Sequence, residues 1–417
     1  MPAILDRPII GPILEQHIEN AAFCWARSHQ RLWCPLSNQR VVQRYKNRLT
    51  ANINGLRLSG NHALMPAVAK LQRWKTPDET FVAILVLLHN LDSQDATEAQ
   101  HICENILIEK PSLIDGATAA CLELNPQQLS EPQRQLLTHW WSSPVSVLRR
   151  VALSFALNSP HFSAADIIDA GISDADEEFK ANLLAAIGEH GLHSLIPHCE
   201  DALSHANSAC RFEASYSLSL LGYNDGLPLL RDSLPLLTGH ALKRSLLLWA
   251  TDSSDEEFHS WLTLPGDALQ HQRSRLWALA FRGDQRLLEC ITPWLNPTTV
   301  RLAAHAITHI TNIDLESVLA ELAAKNDDGT TTKGDSDDAG LAAVDPDALR
   351  NWIIQHCSTI TSTERHCMGL PISLENANAS LAQGTQPQRW QAALYLSRQS
   401  STHSGRHMVT LLNKRNI

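Results

Sequence analysis

The sequence predicts an all-α protein, a HEAT-like α-solenoid built from stacked antiparallel helix pairs. Tyr (4) and Phe (8) are scarce among the 417 residues, and long alternating runs of β-branched and aromatic residues are absent. This composition argues against a β-rich fold. In addition, a basic residue followed by small and apolar residues recurs at steps of 28 to 32 residues. Two helices of about a dozen residues and two turns fill such a period.

Residues 1–144 are predicted to form an N-terminal helical region of degenerate repeats. One amphipathic helix is marked by apolar residues at helical spacing, and Gly60 follows it as a C-cap. Residues 81–89 are apolar on nearly all sides, so we expect this second helix to lie between neighbours. The apolar positions of the amphipathic helix are Val42, Tyr45, Leu49, Ile53 and Leu56.

Residues 145–325 are predicted to form the HEAT-like repeat array. The clearest copy runs from Asn207 to Gly222, and its small residues would let neighbouring helices approach. Because one helix pair cannot bury its apolar face alone, stacking must supply the core. The alternative is a non-repetitive helical bundle with coincidental spacing. The recurring basic residues are Arg149, Lys180, Arg211, Lys243, Arg273 and Arg301.

The array is interrupted at residues 326–345, which we interpret as a flexible acidic linker. The stretch from Asp327 to Gly340 combines acidic residues, Gly and Thr without an apolar anchor, and this composition is typical of mobile segments. Helical patterns resume after the linker, so residues 346–417 are predicted to form a C-terminal helical repeat or cap.

Charge and targeting signals restrict the possible partners. The formal net charge is −10, from 44 acidic and 34 basic residues, which argues against nucleic acid as the main partner and leaves only a local basic groove open. Residues 1–20 do not resemble a signal peptide, and the most apolar run, 81–88, is too short to span a bilayer. The nine scattered Cys include no CxxC pair. We therefore expect a cytoplasmic protein with reduced thiols and no membrane insertion.

No motif predicts catalysis or a cofactor. The best metal candidate is His356-Cys357 together with His366-Cys367, because two such pairs could make a tetrahedral zinc site. Their spacing matches no common zinc motif, and polar residues near a loop are the alternative. The 20 His lie in no HExxH or nucleophile motif. The sequence therefore predicts a non-enzymatic protein without cofactors.

Two blocks resemble a bacterial HEAT-repeat family whose genes are often found in type VI secretion clusters. The first block is Arg44 to Gly60, which includes Asn-Gly-Leu-Arg-Leu-Ser-Gly. The second block starts at Gly369-Leu-Pro-Ile and continues through Leu381 to Ala393. The chain departs from the family pattern at Asn52 and Asn54, where the family has His and Asp. The resemblance spans most of the chain and brings no biochemical activity with it. It implies an accessory role in secretion, as an adaptor or effector chaperone.

The predicted function is therefore a protein-binding scaffold, whose partner could be a secretion spike, tip or effector protein. Arg and Trp are enriched at binding hot spots, and if they are exposed, four such residues are candidate anchors; if they are buried, they only hold the stack together. Two alternatives stay open. A HEAT-scaffold enzyme, of lyase or glycosylase type, would need a concave pocket with a carboxylate among aromatics. A structural component would polymerise within an assembly, and the sequence leaves the oligomeric state undecided. The candidate anchors are Arg275, Trp277, Trp294 and Arg301.

Overall fold

The computed structural model describes residues 10–174, 176–264, 268–315, 317–319, 340–341, 344–357, 359–360, 363–400 and 403–413. In this part of the chain the protein is helical apart from one short hairpin, which confirms the predicted all-helical class. Most of the predicted acidic linker, residues 326–339 and 342–343, lies outside the described residues.

The chain divides into two compact units. The first holds Met1–Arg31 and Arg40–Leu183, and the second holds Leu32–Gln39 and Leu184–Ile417. The sequence-based division into four segments stays a prediction.

The helices of the first unit follow the predicted periodicity. Helix α2 ends at Ser59, and Gly60 follows it with a φ of 55°, as the C-cap interpretation requires. The α-helices are α1 Gly11–Gln30, α2 Gln39–Ser59, α3 Leu64–Trp74, α4 Pro77–His89, α5 Ala96–Glu109, α6 Ile114–Leu122, α7 Glu131–Trp141, α8 Ser146–Asn158 and α9 Ala164–Gly171, and the short 3₁₀ helices are Gly60–Ala63, Pro111–Leu113 and Pro126–Gln128.

Helix α4 is the centre of the first unit. Every residue from Thr80 to Leu88 is buried, because the helix packs against α1, α3, α5 and α6. This confirms the prediction that a helix apolar on nearly all sides lies between neighbours. Helix α6 approaches it closely: a Cβ placed on Gly116 would lie 2.0 Å from the carbonyl oxygen of Pro77. Only glycine therefore permits this crossing.

The second unit continues with helix pairs and ends in a capping block. Helices α12, α14, α16 and α17 pack in succession. The boundary between the units falls within α10. The elements are α10 Glu177–His190, α11 Ile196–Ala202, α12 Ser208–Leu220, α13 Leu227–Ser233, α14 Gly239–Asp252, α15 Asp255–Thr263, α16 Leu269–Arg282, α17 Val300–Thr311, α18 Pro346–Cys357, β1 His366–Cys367, β2 Leu370–Pro371, α19 Leu374–Gln383, α20 Gln386–Gln399 and α21 Gly405–Asn413, with 3₁₀ helices at Arg31–Trp33, His193–Leu195, Asn224–Gly226, Leu234–Leu236 and Gln285–Trp294.

The recurring basic residues lie near the starts of alternate helices, as the repeat pattern predicts. Arg149 is the fourth residue of α8, and Arg301 is the second residue of α17. Arg149 and its neighbour Arg150 bind carboxylates further along the chain: Arg149 Nη1 lies 2.7 Å from Asp174 Oδ2, and Arg150 Nη1 lies 2.8 Å from Glu178 Oε2. These pairs connect α8 to Asp174, which precedes α10 in the chain, and to the second residue of α10.

Helix α20 lies across the C-terminal ends of the packed helices of the second unit. Its polar side chains donate to carbonyl groups that a helix end leaves without an internal partner. Gln388 Nε2 donates to His309 O of α17, at 3.4 Å, and Gln391 Nε2 donates to Phe281 O of α16, at 2.9 Å. Arg398 donates to Leu220 O of α12, at 3.0 Å, and pairs with Asp252 of α14. The C-terminal block therefore closes this edge of the unit.

Candidate functional site

Arg275 lies between two tryptophan rings inside the second unit. Its guanidinium carbon is 5.1 Å from the centre of the Trp294 ring and 5.9 Å from that of Trp261. The side chain is only 5% exposed, and Nη1 has no hydrogen-bond partner. Burial lowers the pKa of Arg275. Two of the four candidate anchors, Arg275 and Trp294, are thus in contact, and the structure places both in the interior.

Trp277 is also buried, with 3% of its surface exposed. The ammonium nitrogen of Lys243 lies 4.6 Å from its ring centre, and the ring of His305 meets it edge to face at 5.6 Å. Arg301, by contrast, is half-buried in the first turn of α17.

Three of the four candidate anchors are therefore buried, and for these three the buried alternative applies. Every residue of α16 from Arg273 to Arg282 is buried, because the helix lies between α14 and α17 and also contacts α20. Arg275, Trp277 and Trp294 consequently contribute to packing. The sequence did not show this, since Arg is rarely buried to this extent.

An open groove lies on the first unit, between α1 and the start of α4. Its volume is about 350 Å³. Helix α1 contributes residues at helical spacing, which form one stripe along its surface. The middle of this stripe has the small side chains of Ala22 and Ala26, and the neighbouring Phe23 is 43% exposed. The lining residues are Glu19, Ala22, Phe23, Ala26, Arg27, Gln30, Asp78 and Glu79.

Opposite charges lie on different parts of this groove. The guanidinium carbon of Arg27 lies 5.3 Å from the centre of the Phe23 ring. Glu19 pairs with Lys70 at 2.5 Å, while Asp78 and Glu79 occupy the first turn of α4. A helix N-terminus favours carboxylates, so the ordinary interpretation of the last two is stabilisation of α4.

Glu79 differs from a simple helix-terminal carboxylate. Burial, together with the neighbouring Asp78, raises its pKa to about 7, against the opposing effect of Lys70. Its oxygen Oε2 is buried and accepts no hydrogen bond. A group in this state can accept a donor from a bound molecule, or can exchange a proton near neutral pH.

This groove was not predicted from the sequence, although a signal was present. Positions 19, 22, 23, 26, 27 and 30 follow 3-4 spacing, and two alanines lie in the middle of that stripe. Pro77-Asp78-Glu79 is also a recognisable helix start. That the stripe faces the start of α4 depends on tertiary packing, which the pattern does not contain.

The His-Cys candidates form no metal centre in the part of the chain that the structure describes. No group of three or more His, Cys, Asp or Glu is placed there to hold a metal ion. His356 Nε2 lies 3.3 Å from Gln285 Oε1, and His366 Nδ1 lies 2.9 Å from Glu364 O. Burial raises the pKa of the Cys367 thiol to about 12. These residues therefore serve local structure.

The residues that carry the family resemblance have structural roles. Gly55 packs against His17, since a Cβ on this glycine would lie 2.8 Å from the imidazole. His17 Nδ1 in turn lies 3.0 Å from Asn52 Oδ1. In the second block, Gln388 contacts α17 and Arg389 Nη2 donates to Leu412 O at 2.6 Å. Both blocks thus hold helices together.

Comparison with models of protein families, with curated proteins and with solved structures finds no match. Within the described residues, we find no helix whose length and hydropathy together would let it traverse a membrane.

Proposed function

We propose that the protein is a binding scaffold that holds a segment of a partner polypeptide in the groove between α1 and α4. The groove itself is the observation that carries this proposal. It is open, about 350 Å³ in volume, and combines an exposed aromatic ring with charged groups of both signs. Grooves with an apolar anchor and a few polar groups are suited to peptide segments.

The charges of the groove indicate the chemistry of the occupant. Glu19, Asp78 and Glu79 supply three carboxylates to the lining, which also contains Arg27, and Glu19 is paired with Lys70 outside the lining. A Lys or Arg side chain of the partner would give Glu79 the donor that its buried oxygen lacks. An apolar side chain next to it would cover Phe23. We therefore propose a basic segment with an adjacent apolar residue as the occupant.

The cellular role that we propose rests on the two sequence blocks that resemble the HEAT-repeat family. We propose that the helix pairs stack as a HEAT-like α-solenoid and that the protein acts in the cytoplasm as an accessory adaptor or effector chaperone of type VI secretion. Its partner would be a spike, tip or effector protein. The resemblance of Arg44 to Gly60 and of Gly369 to Ala393 supports this role, and the recurring basic residues support the stacking.

The test is to fill the groove without disturbing the fold. Ala26→Trp places a large ring over the stripe of α1, and Ala209→Trp makes the same change at an exposed position of α12. A photo-crosslinker at Phe23 should capture the partner, and tagged protein from native cells should co-purify with it. Ala26→Trp should lose both signals, whereas Ala209→Trp should keep them. A partner that Ala26→Trp retains at full level would contradict the groove.

An enzyme remains the second candidate, and Glu79 is the observation that favours it. A carboxyl with a pKa of about 7 is suited to general acid or base catalysis. The lining of the groove also includes one aromatic ring, that of Phe23, in addition to the carboxylates. Purified protein and Glu79→Gln can be incubated with cell metabolites and compared by mass spectrometry. A metabolite converted by the wild type and spared by Glu79→Gln would favour the enzyme over the scaffold.

A further inference from the structure

The negative net charge of the chain is distributed unevenly. No acidic residue occurs from Asn20 to Pro77, whereas ten basic residues do, so the other 24 basic residues stand against all 44 acidic ones. This stretch without acidic residues includes the whole of α2 and the second half of α1. The bulk charge that argues against an anionic partner is therefore absent from this part of the chain.

Helix α2 carries an exposed row of three arginines. Arg40, Arg44 and Arg48 follow one another at intervals of four residues, so their side chains project from one face, about 6 Å apart along the helix axis. All three are exposed, and no ion pair among the described residues involves them. Lys46 is half-buried on another side of the helix. We call Arg40, Arg44 and Arg48 the basic stripe.

The basic stripe is unfavourable for the helix that carries it. Like charges four residues apart repel each other on a helix surface. In addition, Arg40 lies in the first turn of α2, which contains no acidic residue, and a cation there opposes the helix dipole. An anion that lies against the stripe would remove both costs.

The second half of α1 runs beside the first half of α2. The two helices are antiparallel, because His17 contacts Asn52, whereas the ring of Phe23 meets that of Tyr45 with centres 6.2 Å apart. The carboxylates of α1 belong to its first half, which lies beside the second half of α2. They are therefore at the end of the helix pair that is remote from Arg40.

Two further guanidinium groups lie near the basic stripe. The guanidinium carbon of Arg31 is 5.5 Å from the centre of the Tyr45 ring, and that of Arg27 is 5.3 Å from the centre of the Phe23 ring. Because Tyr45 is three residues before Arg48, the two side chains are neighbours on the surface of α2. The positive charge thus extends from α2 onto the end of α1.

The surroundings of the basic stripe favour phosphate groups over an acidic polypeptide. Interfaces between proteins usually have an apolar core, but the exposed residues of α2 beside and after the stripe are polar or small. Amide and hydroxyl side chains are frequent partners of nucleic-acid phosphates and sugars. The planar fork of Arg also binds a phosphate with two hydrogen bonds. The exposed residues are Asn47, Thr50, Ala51 and Asn54.

We infer that the basic stripe binds the phosphate backbone of a single-stranded nucleic acid. Arg40, Arg44 and Arg48 contact phosphates along the strand, one from each helical turn, and Arg31 adds a fourth positive charge at the edge. Phosphate contacts carry no sequence information, so the binding is independent of sequence. It does not use the carboxylates of the groove between α1 and α4, and each site can therefore fail without the other.

The experiment follows the fluorescence anisotropy of a labelled oligothymidylate of about 20 nucleotides as the full-length protein is added. The wild type should bind saturably at about 50 mM salt, and log affinity should fall with log salt concentration with a slope of about −2 to −3, or ~0.7 per phosphate contact. The triple variant Arg40→Gln, Arg44→Gln, Arg48→Gln should bind at least about tenfold more weakly, with a slope below about 1 in magnitude.

A second triple variant provides the matched control. It replaces Arg134, Arg231 and Arg350 by Gln, three solvent-accessible arginines that each pair with a nearby carboxylate. The net charge changes by the same amount in both triple variants, so only the position of the lost charges differs. The control should bind the oligonucleotide with the affinity and the salt dependence of the wild type. Circular dichroism checks that both variants are folded.

Three results would overturn the inference. The first is the absence of saturable binding, and the second is equal weakening in the two triple variants, which would mean that the strand responds only to net charge. The third is tighter binding of polyglutamate or of phosphatidylserine vesicles than of the oligonucleotide, which would assign the stripe to an acidic polypeptide or a membrane surface. If the stripe variant does not fold, Arg44→Gln is compared with Arg134→Gln, and a salt slope lowered by ~0.7 in Arg44→Gln alone is the expected result.

Discussion

His309 Nε2 lies 2.8 Å from Gln391 Oε1, and this contact joins α17 to α20 inside the second unit. Gln391 Nε2 already donates to Phe281 O, so its Oε1 must accept, and the proton of His309 must be on Nε2. Nδ1 of the same ring has no partner. His309 is therefore a buried, neutral imidazole that uses one of its two nitrogens.

This histidine should make the protein sensitive to acid. Burial lowers its pKa from 6.5 to about 4, against the opposing effect of Gln391. As the pH falls, His309 is protonated in the unfolded chain at a higher pH than in the folded protein. The free energy of unfolding is therefore unaffected by this residue above about pH 6.5 and decreases as the pH falls from about 6.5 to about 4. The loss between pH 7 and pH 5 should be about 2 kcal/mol for this residue.

Urea unfolding at pH 7 and pH 5 checks this expectation. His309→Gln should show a smaller loss of stability on acidification than the wild type, even though the variant is less stable at pH 7. His271→Gln, at an exposed position of α16, should keep the full pH dependence. An unchanged difference between the two pH values in His309→Gln would contradict the assignment.

The helices were more predictable than their environments. The apolar residues of α4 and the small residues of α12 have strong local patterns, and both helices form where they were expected. The capping role of α20 was not predictable, because Gln388, Gln391 and Arg398 act on carbonyl groups up to 179 positions away in the chain. Polar residues in a helical pattern indicate an exposed face unless tertiary contacts are known.

Ala214 tests the predicted repeat register. It is fully buried in α12, as expected for a residue that faces a neighbouring helix. Ala214→Leu should cost about 1–3 kcal/mol, because the added methylenes have no space. Ala209→Leu makes the same change at an exposed position of the same helix and should be nearly neutral. Thermal unfolding of the two variants compares them directly, and equal melting temperatures would count against the register.

Gly116 tests the close crossing of α6 and α4. An added Cβ would lie 2.0 Å from Pro77 O and 2.9 Å from Phe81 N, both of them backbone atoms. Gly116→Ala should therefore destabilise the first unit by at least about 2 kcal/mol, although alanine favours helix more than glycine does. Gly11→Ala has no heavy atom within 4 Å of the new Cβ. It should be neutral or slightly stabilising in the same unfolding measurement.

The candidate site was predictable only in part. Arg275 and Trp294 were two of the candidate anchors, and the structure brings them into contact inside the unit. Their exposure was not predictable, since composition does not report it. The groove of the first unit depends on α1 and on the start of α4, which are about 50 residues apart. The most informative group of the groove is Glu79, whose pKa is raised by burial and by the neighbouring Asp78. A sequence pattern does not encode this burial.

Trp33 should contribute strongly to the second unit despite its early position in the chain. Its ring stacks on Trp390 of α20, with centres 4.8 Å apart, and meets Phe281 of α16 edge to face at 6.3 Å. Next to it, Trp390 Nε1 donates to Leu32 O at 3.0 Å, and Gln386 N donates to Ser37 O at 2.6 Å. The segment 32–39 thus binds α20 through both rings and backbone.

Trp33→Ala should destabilise the second unit by about 3–5 kcal/mol, the cost of truncating a buried aromatic ring. Trp74→Ala provides the matched control, since Trp74 is 55% exposed whereas Trp33 is 5% exposed. Hydrogen exchange should resolve where the loss occurs. In Trp33→Ala, the amides of α20 should exchange faster, because the stack that covers the helix is gone. If α20 stays as protected as in the wild type, the segment does not support it, and the contact with Trp390 is only incidental.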